Sequence, residues 1–186
     1  MYDTVLSPQR VLSPEYIPFP KPAPGPQPPI APQGVTVLDG SNLEEAFTNL
    51  LLTLQSTEGN ALVIDALSVT NPHHIVQMCR RLGLDYRDYL DRILIERPFT
   101  AYQMTSVIGE LLPKWIKEDN IRVIMGVGLF SLLQDPDLGD LYRQWGKGLI
   151  MRRLKVATEH FGLTTYLLPI QGRSHLYFQN TTGFGK

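Results

Sequence analysis

The side chains with the means to do chemistry are Asp39 and Asp65, each closing an apolar run, the adjacent His73 and His74, the Ser41-Asn42 pair after a glycine, and Cys79. "VTVLDGSNLEEAF", residues 35–47, reads as a strand, a turn and a helix start, the arrangement in which a helix N-terminus holds phosphate. A phosphate loop, G-x-x-x-x-G-K-[ST], needs glycines so that backbone N–H groups surround the phosphate, a lysine to neutralise it and a hydroxyl for magnesium. The turn Asp39-Gly40-Ser41-Asn42 is too short, has one glycine, and the next lysine is Lys114. Asp39, Glu44 and Glu45 satisfy the helix dipole with internal charge and would repel a triphosphate. Asp65, with Asp39 and His73 or His74, has the residue types for a metal or for acid–base work; the ordinary reading is a hydrogen-bonded carboxylate at a strand end. Gly126-Val127-Gly128 offers no carboxylate for magnesium, and no Ser/His/Asp or Cys/His spacing points to a nucleophile. Glu159 and His160 lie near a helix end, where a basic residue is expected for dipole reasons. Cys79, among apolar residues at helical spacing, reads as a buried, inert thiol.

Alternating strands and helices position these groups. "VTVL" (35–38), "ALVID" (61–65), "RILIE" (92–96), "IRVIMGVG" (121–128) and "LTTYLLPI" (163–170) read as strands, and "SHLYFQN" (174–180) as a last strand closely connected to the one before. Helical spacing runs from Leu43 to Leu54 behind an S-x-x-E capping box at Ser41–Glu44. It returns over 73–82 behind Pro72, over 100–118 with Pro113 starting a fresh turn or kinking the helix, and over 138–161. This alternation predicts βαβ units and a mostly parallel sheet covered on both faces, with any ligand at the carboxyl ends of the strands.

Residues 1–34 are different. Ten of the 15 prolines fall there, so the segment is an extended, polyproline-like tail in front of a core of residues 35–186. Tyr16, Ile17 and Phe19 are apolar anchors that a pure spacer would not need, and they are the candidate partner contacts in the tail. The formal net charge of -1 announces no global attraction to nucleic acid. One cysteine excludes an internal disulfide framework and suits a reducing compartment. No apolar run approaches the roughly 20 residues of a membrane span, and no signal-peptide order is present. The expectation is a cytoplasmic protein.

The stretch "LGLDYRDYLDRILIERPFTAYQMTSVIGELLPKWIKEDNIRVIMGVGLFSLL" resembles the core ATPase domain of the RecA/RadA recombinase family, nearest its archaeal and eukaryotic members and their paralogs. "LGLD", a strand, a Gln-Met helix, a segment like "ELLPKLIKED" and an apolar strand followed by Ser-Leu come in that order in the family. "LGDLYRQWGKGLIMRRLKVATEHFGLTTYLL" resembles its long helix and next strand. The match is specific over residues 71–133, and residues 35–180 can be threaded in full.

The resemblance implies a three-layer RecA-like α/β fold. It also implies a degenerate nucleotide site. The family's phosphate loop would fall on Asp39, Gly40, Ser41 and Asn42, its catalytic glutamate on Leu67, its magnesium-linked aspartate on Val127, and its nucleotide-sensing glutamine near Ile170 or Gln171. Phosphoryl transfer depends on positioned cations and an oriented water, so the losses together imply a non-catalytic pseudo-ATPase with no cofactor and no metal. The second DNA loop of the family is reduced to Gly172-Arg173, and the first corresponds to the acidic "DPDLGDLYRQ". Arg143, Lys147, Arg152, Arg153 and Lys155 are the candidate phosphate contacts for weak single-stranded DNA binding, with Trp145 available for stacking; the ordinary reading is a solvated helix face. Phe19 lies where recombinases carry a phenylalanine hook for the next subunit, without the usual Phe-x-x-Ala spacing.

The function expected is that of an accessory or regulatory protein in homologous recombination and DNA repair. It would pair with itself or with a RecA/RadA-type recombinase or paralog, nucleoid-associated in a prokaryote or nuclear in a eukaryote. A scaffold outside DNA repair, or an enzyme using Asp39, Asp65 and the histidine pair, are the alternatives.

Overall fold

The computed structural model describes residues 34–40 and 42–170. The proline-rich tail with Tyr16, Ile17 and Phe19, and also Ser41, Gln171 and the 174–180 segment, lie outside the described residues. Five strands, β1 (Gly34–Val37), β2 (Asn60–Asp65), β3 (Ile93–Glu96), β4 (Ile121–Val127) and β5 (Thr164–Leu168), form one sheet in the order β1-β5-β4-β2-β3. Every pairing is parallel. The central strands are buried on both faces, as the continuous apolar runs of β2 and β4 require. The edge strand β1 alternates partly buried and exposed residues.

Helices cover both faces, giving three layers. On one face α1 (Leu43–Gln55), α2 (Pro72–Leu82) and α3 (Tyr86–Arg92) bury Phe47, Leu50, Leu54, Ile75 and Tyr89 against Val63, Val123 and Met125. On the other, α4 (Ala101–Ser106), α5 (Leu112–Glu118) and α6 (Asp140–Phe161) bury Met104, Leu112, Ile150 and Leu154 against Leu62, Ile64 and Ile124. Strand β5 is tied to both layers by buried hydroxyls: Thr165 pairs with Thr158 of α6 at 2.6 Å, and Tyr166 with Thr53 of α1 at 2.7 Å. The α/β class, the parallel sheet and the three layers expected from the sequence are all present, and the arrangement is consistent with a RecA-like fold.

Local details differ from the reading of the sequence. The N-cap of α1 is Asn42, whose side chain accepts from Glu45 N–H at 3.0 Å, so the cap sits one residue beyond the Ser41–Glu44 box. A full capping box occurs instead at Thr100 and Gln103, opening α4. Between α4 and α5 the chain makes a π-helical turn over Val107–Leu111. Pro113 has no N–H to give the Gly109 carbonyl, and its ring crowds that carbonyl; the ladder widens one turn earlier, with Leu112 N–H donating to Val107. The predicted kink at Pro113 therefore takes the form of a π turn. Helix α3, capped by Asp85, is not among the helices the residue pattern predicts, and it takes in Arg92, so that β3 begins at Ile93 instead of at the expected Arg92.

Candidate functional site

The carboxyl ends of β1, β5, β4 and β2 lie side by side, which is where a ligand site is expected. The structure brings Asp39, Gly40, Asn42, Leu67 and Val127 to this edge of the sheet. The space between them is filled by the chain itself.

At the end of β1, Leu38 N–H donates to Leu167 at 2.8 Å, and Asn42 N–H turns back to the Asp39 carbonyl at 3.3 Å. Gly40 lies so close to β5 that a Cβ there would stand 2.5 Å from the Pro169 carbonyl oxygen. A turn that approaches a carbonyl this closely leaves no room for a phosphate, and the oxygen it faces would repel one. The first turn of α1 is occupied by the Asn42 cap and carries Glu44 and Glu45. Glu44 is further paired with Arg81 of α2.

At the ends of β2 and β4 the filling is apolar. Gly128, with φ +59°, receives the Leu67 side chain: a Cβ at Gly128 would lie 2.5 Å from Leu67 Cδ1. Val127 is fully buried in the core on the α1–α2 side, with Leu67 packed against that core. Ile170 is buried in the same cluster. Leu67, Val127 and Ile170 thus belong to one apolar cluster at the strand ends, with Leu67 partly exposed. Charged phosphate oxygens would lose hydration there without replacement.

Asp65 is the polar exception, with no exposed surface. Its Oδ2 accepts from Thr70 N–H at 2.7 Å and its Oδ1 from Leu67 N–H at 3.2 Å. Arg97 Nε stands 4.0 Å away, and the Arg97 guanidinium also donates to the Thr70 carbonyl at 2.5 Å. Asp65 thus shapes the loop that carries Leu67 and includes Ser68 at a positive φ of 54°. The hydrogen-bonded strand-end reading describes this geometry. His73 and His74 are exposed on the first turn of α2. Among the described residues no three His, Cys, Asp or Glu side chains come together to hold a metal.

The basic residues of α6 do not converge. At about 100° per residue, Arg152 and Lys155 share one side of the helix, Arg153 is turned well away from them, and Arg143 with Lys147 lies on another side. Arg143 is engaged: its guanidinium donates to Asp140 Oδ1 at 3.0 Å and to the carbonyls of Asp135 and Pro136 at 3.0 and 3.1 Å. Lys155 lies 3.8 Å from Glu159. Lys147, Arg152 and Arg153 are exposed.

Cys79 is fully buried between α2 and the sheet. Burial, and secondarily the negative charge of Asp85, pushes its thiol from 9.0 up to about 11. The folded thiol therefore keeps its proton where an unfolded one would lose it. Its stabilising contribution is complete below pH 9 and is lost as the pH rises toward 11. Labelling with a thiol-reactive disulfide at pH 8 should be at least about a hundredfold slower in the native protein than in denaturant. Native labelling at the denatured rate would show that the thiol is not shielded.

Reading the sequence missed a surface on the opposite layer. Tyr102 of α4 and Tyr142 of α6 lie with ring centroids 4.8 Å apart, and Tyr142 and Trp145 follow at 5.2 Å. The signal was present: α6 carries apolar residues on the side away from its buried Ile150–Leu154–Ala157 stripe. Two shallow concavities, of about 560 Å3 beside β1 and α6 and about 520 Å3 below the end of α1, lie away from the strand carboxyl ends.

No protein-family model matches this chain, and no curated protein matches it. Among the described residues no helix is long and apolar enough to cross a membrane.

Proposed function

We propose that the protein is a non-catalytic RecA-like paralog, an accessory or regulatory component of homologous recombination that acts by binding a protein partner, with the nucleoid or nucleus as its place of work. The observation that carries this reading is the plug at the strand ends, with Leu67 seated on Gly128, Val127 buried and Gly40 against Pro169. It occupies the space in which a RecA-type ATPase would hold its nucleotide. The resemblance over residues 71–133 supplies the recombination context, and the partners it implies are a second copy, a RecA/RadA-type recombinase or another paralog. Direct DNA contact gains no support from the placement of Arg143 or from the divergence of the other basic side chains.

The test has two parts. Magnesium-ATP and magnesium-ADP at millimolar concentration should leave the melting temperature unchanged, because a ligand that binds only the folded state must raise it. The recombinase of the same host should be retained by the full-length protein at physiological salt. A nucleotide-dependent rise in melting temperature overturns the pseudo-ATPase reading. Absence of recombinase binding, with the melting temperature unmoved by nucleotide, leaves a scaffold of the same fold without a place in recombination.

A further inference from the structure

We infer that the open edge of β1 is a strand-docking site whose occupant is the chain's own 174–180 segment, added antiparallel with Leu176 opposite Val37 and Phe178 opposite Val35. The inference goes beyond the recombination reading and does not depend on it.

The edge has the form of a template. Gly34 N–H donates to the Leu163 carbonyl at 3.3 Å and Leu38 N–H to the Leu167 carbonyl at 2.8 Å. Peptide groups alternate sides along a strand, so Val35 and Val37 turn their N–H and carbonyl groups away from β5. No strand lies beyond β1 among the described residues. The two valine side chains are 38% and 65% exposed. Their register partners are Thr165 and Leu167. Thr165 bonds to Thr158 of α6 and Leu167 belongs to the core on that side, so both valines point to the α6 face of the sheet. Beside Val35, the concavity of about 560 Å3 is lined by Gly34 and by Gly148 and Met151 of α6. Unpaired backbone flanked by outward apolar side chains accepts one more strand.

Reach and pattern select the occupant. "SHLYFQN" places Leu176 and Phe178 on one face of a strand and His175, Tyr177 and Gln179 on the other. An antiparallel ladder pairs residues two apart on one strand with residues two apart on its neighbour. Leu176 and Phe178 therefore meet both outward valines together and extend their apolar surface over the Gly148–Met151 side of α6. The end of β5 lies beside the end of β1, where Gly40 approaches Pro169. Crossing from β5 to the outer side of β1 is two strand spacings, about 10 Å. Ile170 to Ser174 is four Cα steps, which reach about 13 Å. The other open edge, beyond β3, is four spacings from β5, about 19 Å, and lies out of range. So short a tether also gives the segment an effective concentration in the millimolar range, which favours it over a strand from a second copy.

Amide exchange on the full chain tests the pairing. The N–H groups of Val35 and Val37 are expected to exchange at least about a hundredfold more slowly than in an unstructured peptide. Phe178→Asp should speed both by about tenfold or more and leave Thr36, whose N–H faces β5, unchanged. Val37→Cys combined with Leu176→Cys should close an intrachain disulfide under mild oxidation, since paired residues on neighbouring strands lie at bridging distance. Val37→Cys combined with His175→Cys should not, because residue 175 takes the opposite face. Exchange at the free rate at both valines overturns the inference, as does protection that Phe178→Asp leaves untouched. Slow exchange without the intrachain disulfide gives the edge to another occupant, and a disulfide between chains in a dimer makes that occupant a second copy. Equal closure with residues 175 and 176 removes the register and with it the docked strand.

Discussion

Val127→Asp, which puts an aspartate where the RecA/RadA resemblance would place a magnesium ligand, should cost the fold about 4 kcal/mol and yield a largely unfolded or insoluble protein. Val127 has no exposed surface and packs in the apolar cluster beneath α1 and α2. It is also the register partner of Asp65 on the neighbouring strand, so the new carboxylate would stand beside one already buried. Two such charges on adjacent strands, about 5 Å apart, cannot both ionise without a cation between them. Val127→Thr, which adds a hydroxyl without a charge, separates burial of a charge from loss of shape and should cost about 1–2 kcal/mol. Urea denaturation of the three proteins gives the comparison. If Val127→Asp matched the wild type and gained stability with magnesium, the strand ends would be wet and competent for a cation, and the plug would not describe them.

Asp65→Ala is the second large effect, about 3 kcal/mol, or roughly 10 °C in melting temperature. The loss comes from the partners left behind: the N–H groups of Leu67 and Thr70 lose their acceptor, and Arg97 keeps its bond to the Thr70 carbonyl without its nearby carboxylate. Buried donors without acceptors cost more than the net value of the bonds they made. Asp65→Asn retains one acceptor oxygen and should lose about half as much. Hydrogen exchange at Leu67 and Thr70 reports the same event locally, because freed N–H groups exchange faster than the core around them. An alanine variant with wild-type stability and unchanged protection at these amides would mean that Asp65 does not organise the loop, and would reopen a chemical role for it.

These substitutions concern positions at the same level of the sheet, and they show where the sequence stops being informative. The continuous apolar runs of β2 and β4 and the 3.6-residue spacing of α1, α2 and α6 are local properties. They specify strands buried on both faces and helices with one buried stripe, so the parallel sheet and its two covering layers were legible in residue order. The missing lysine, the single glycine at 39–42 and the absent strand-end acid at Val127 were legible too, because a phosphate loop needs particular residue types at fixed spacing. Helix α3 was missed although Asp85 provided a cap signal; its seven residues are too few for periodicity to stand out.

What fills the carboxyl ends of the strands was decided by packing between elements far apart in sequence. Leu67 follows β2 and reaches Gly128 at the end of the neighbouring strand β4, 61 positions away in sequence, and Gly40 after β1 meets Pro169 after the neighbouring strand β5, 129 positions away. No spacing rule links these residues, since their contact exists only once β1, β5, β4 and β2 are aligned. The same holds for Arg143, which by type belonged with the basic residues of α6 and by structure belongs to the acidic loop before it. It holds equally for Tyr102 and Tyr142, forty positions apart and in tilted ring contact at 4.8 Å. Residue types and spacing determined the fold class and showed that residues 39–42 do not spell a phosphate loop. The seating of Leu67 on Gly128 and the clustering of Tyr102 with Tyr142 required tertiary structure, because both are made by long-range side-chain contacts that residue order does not encode.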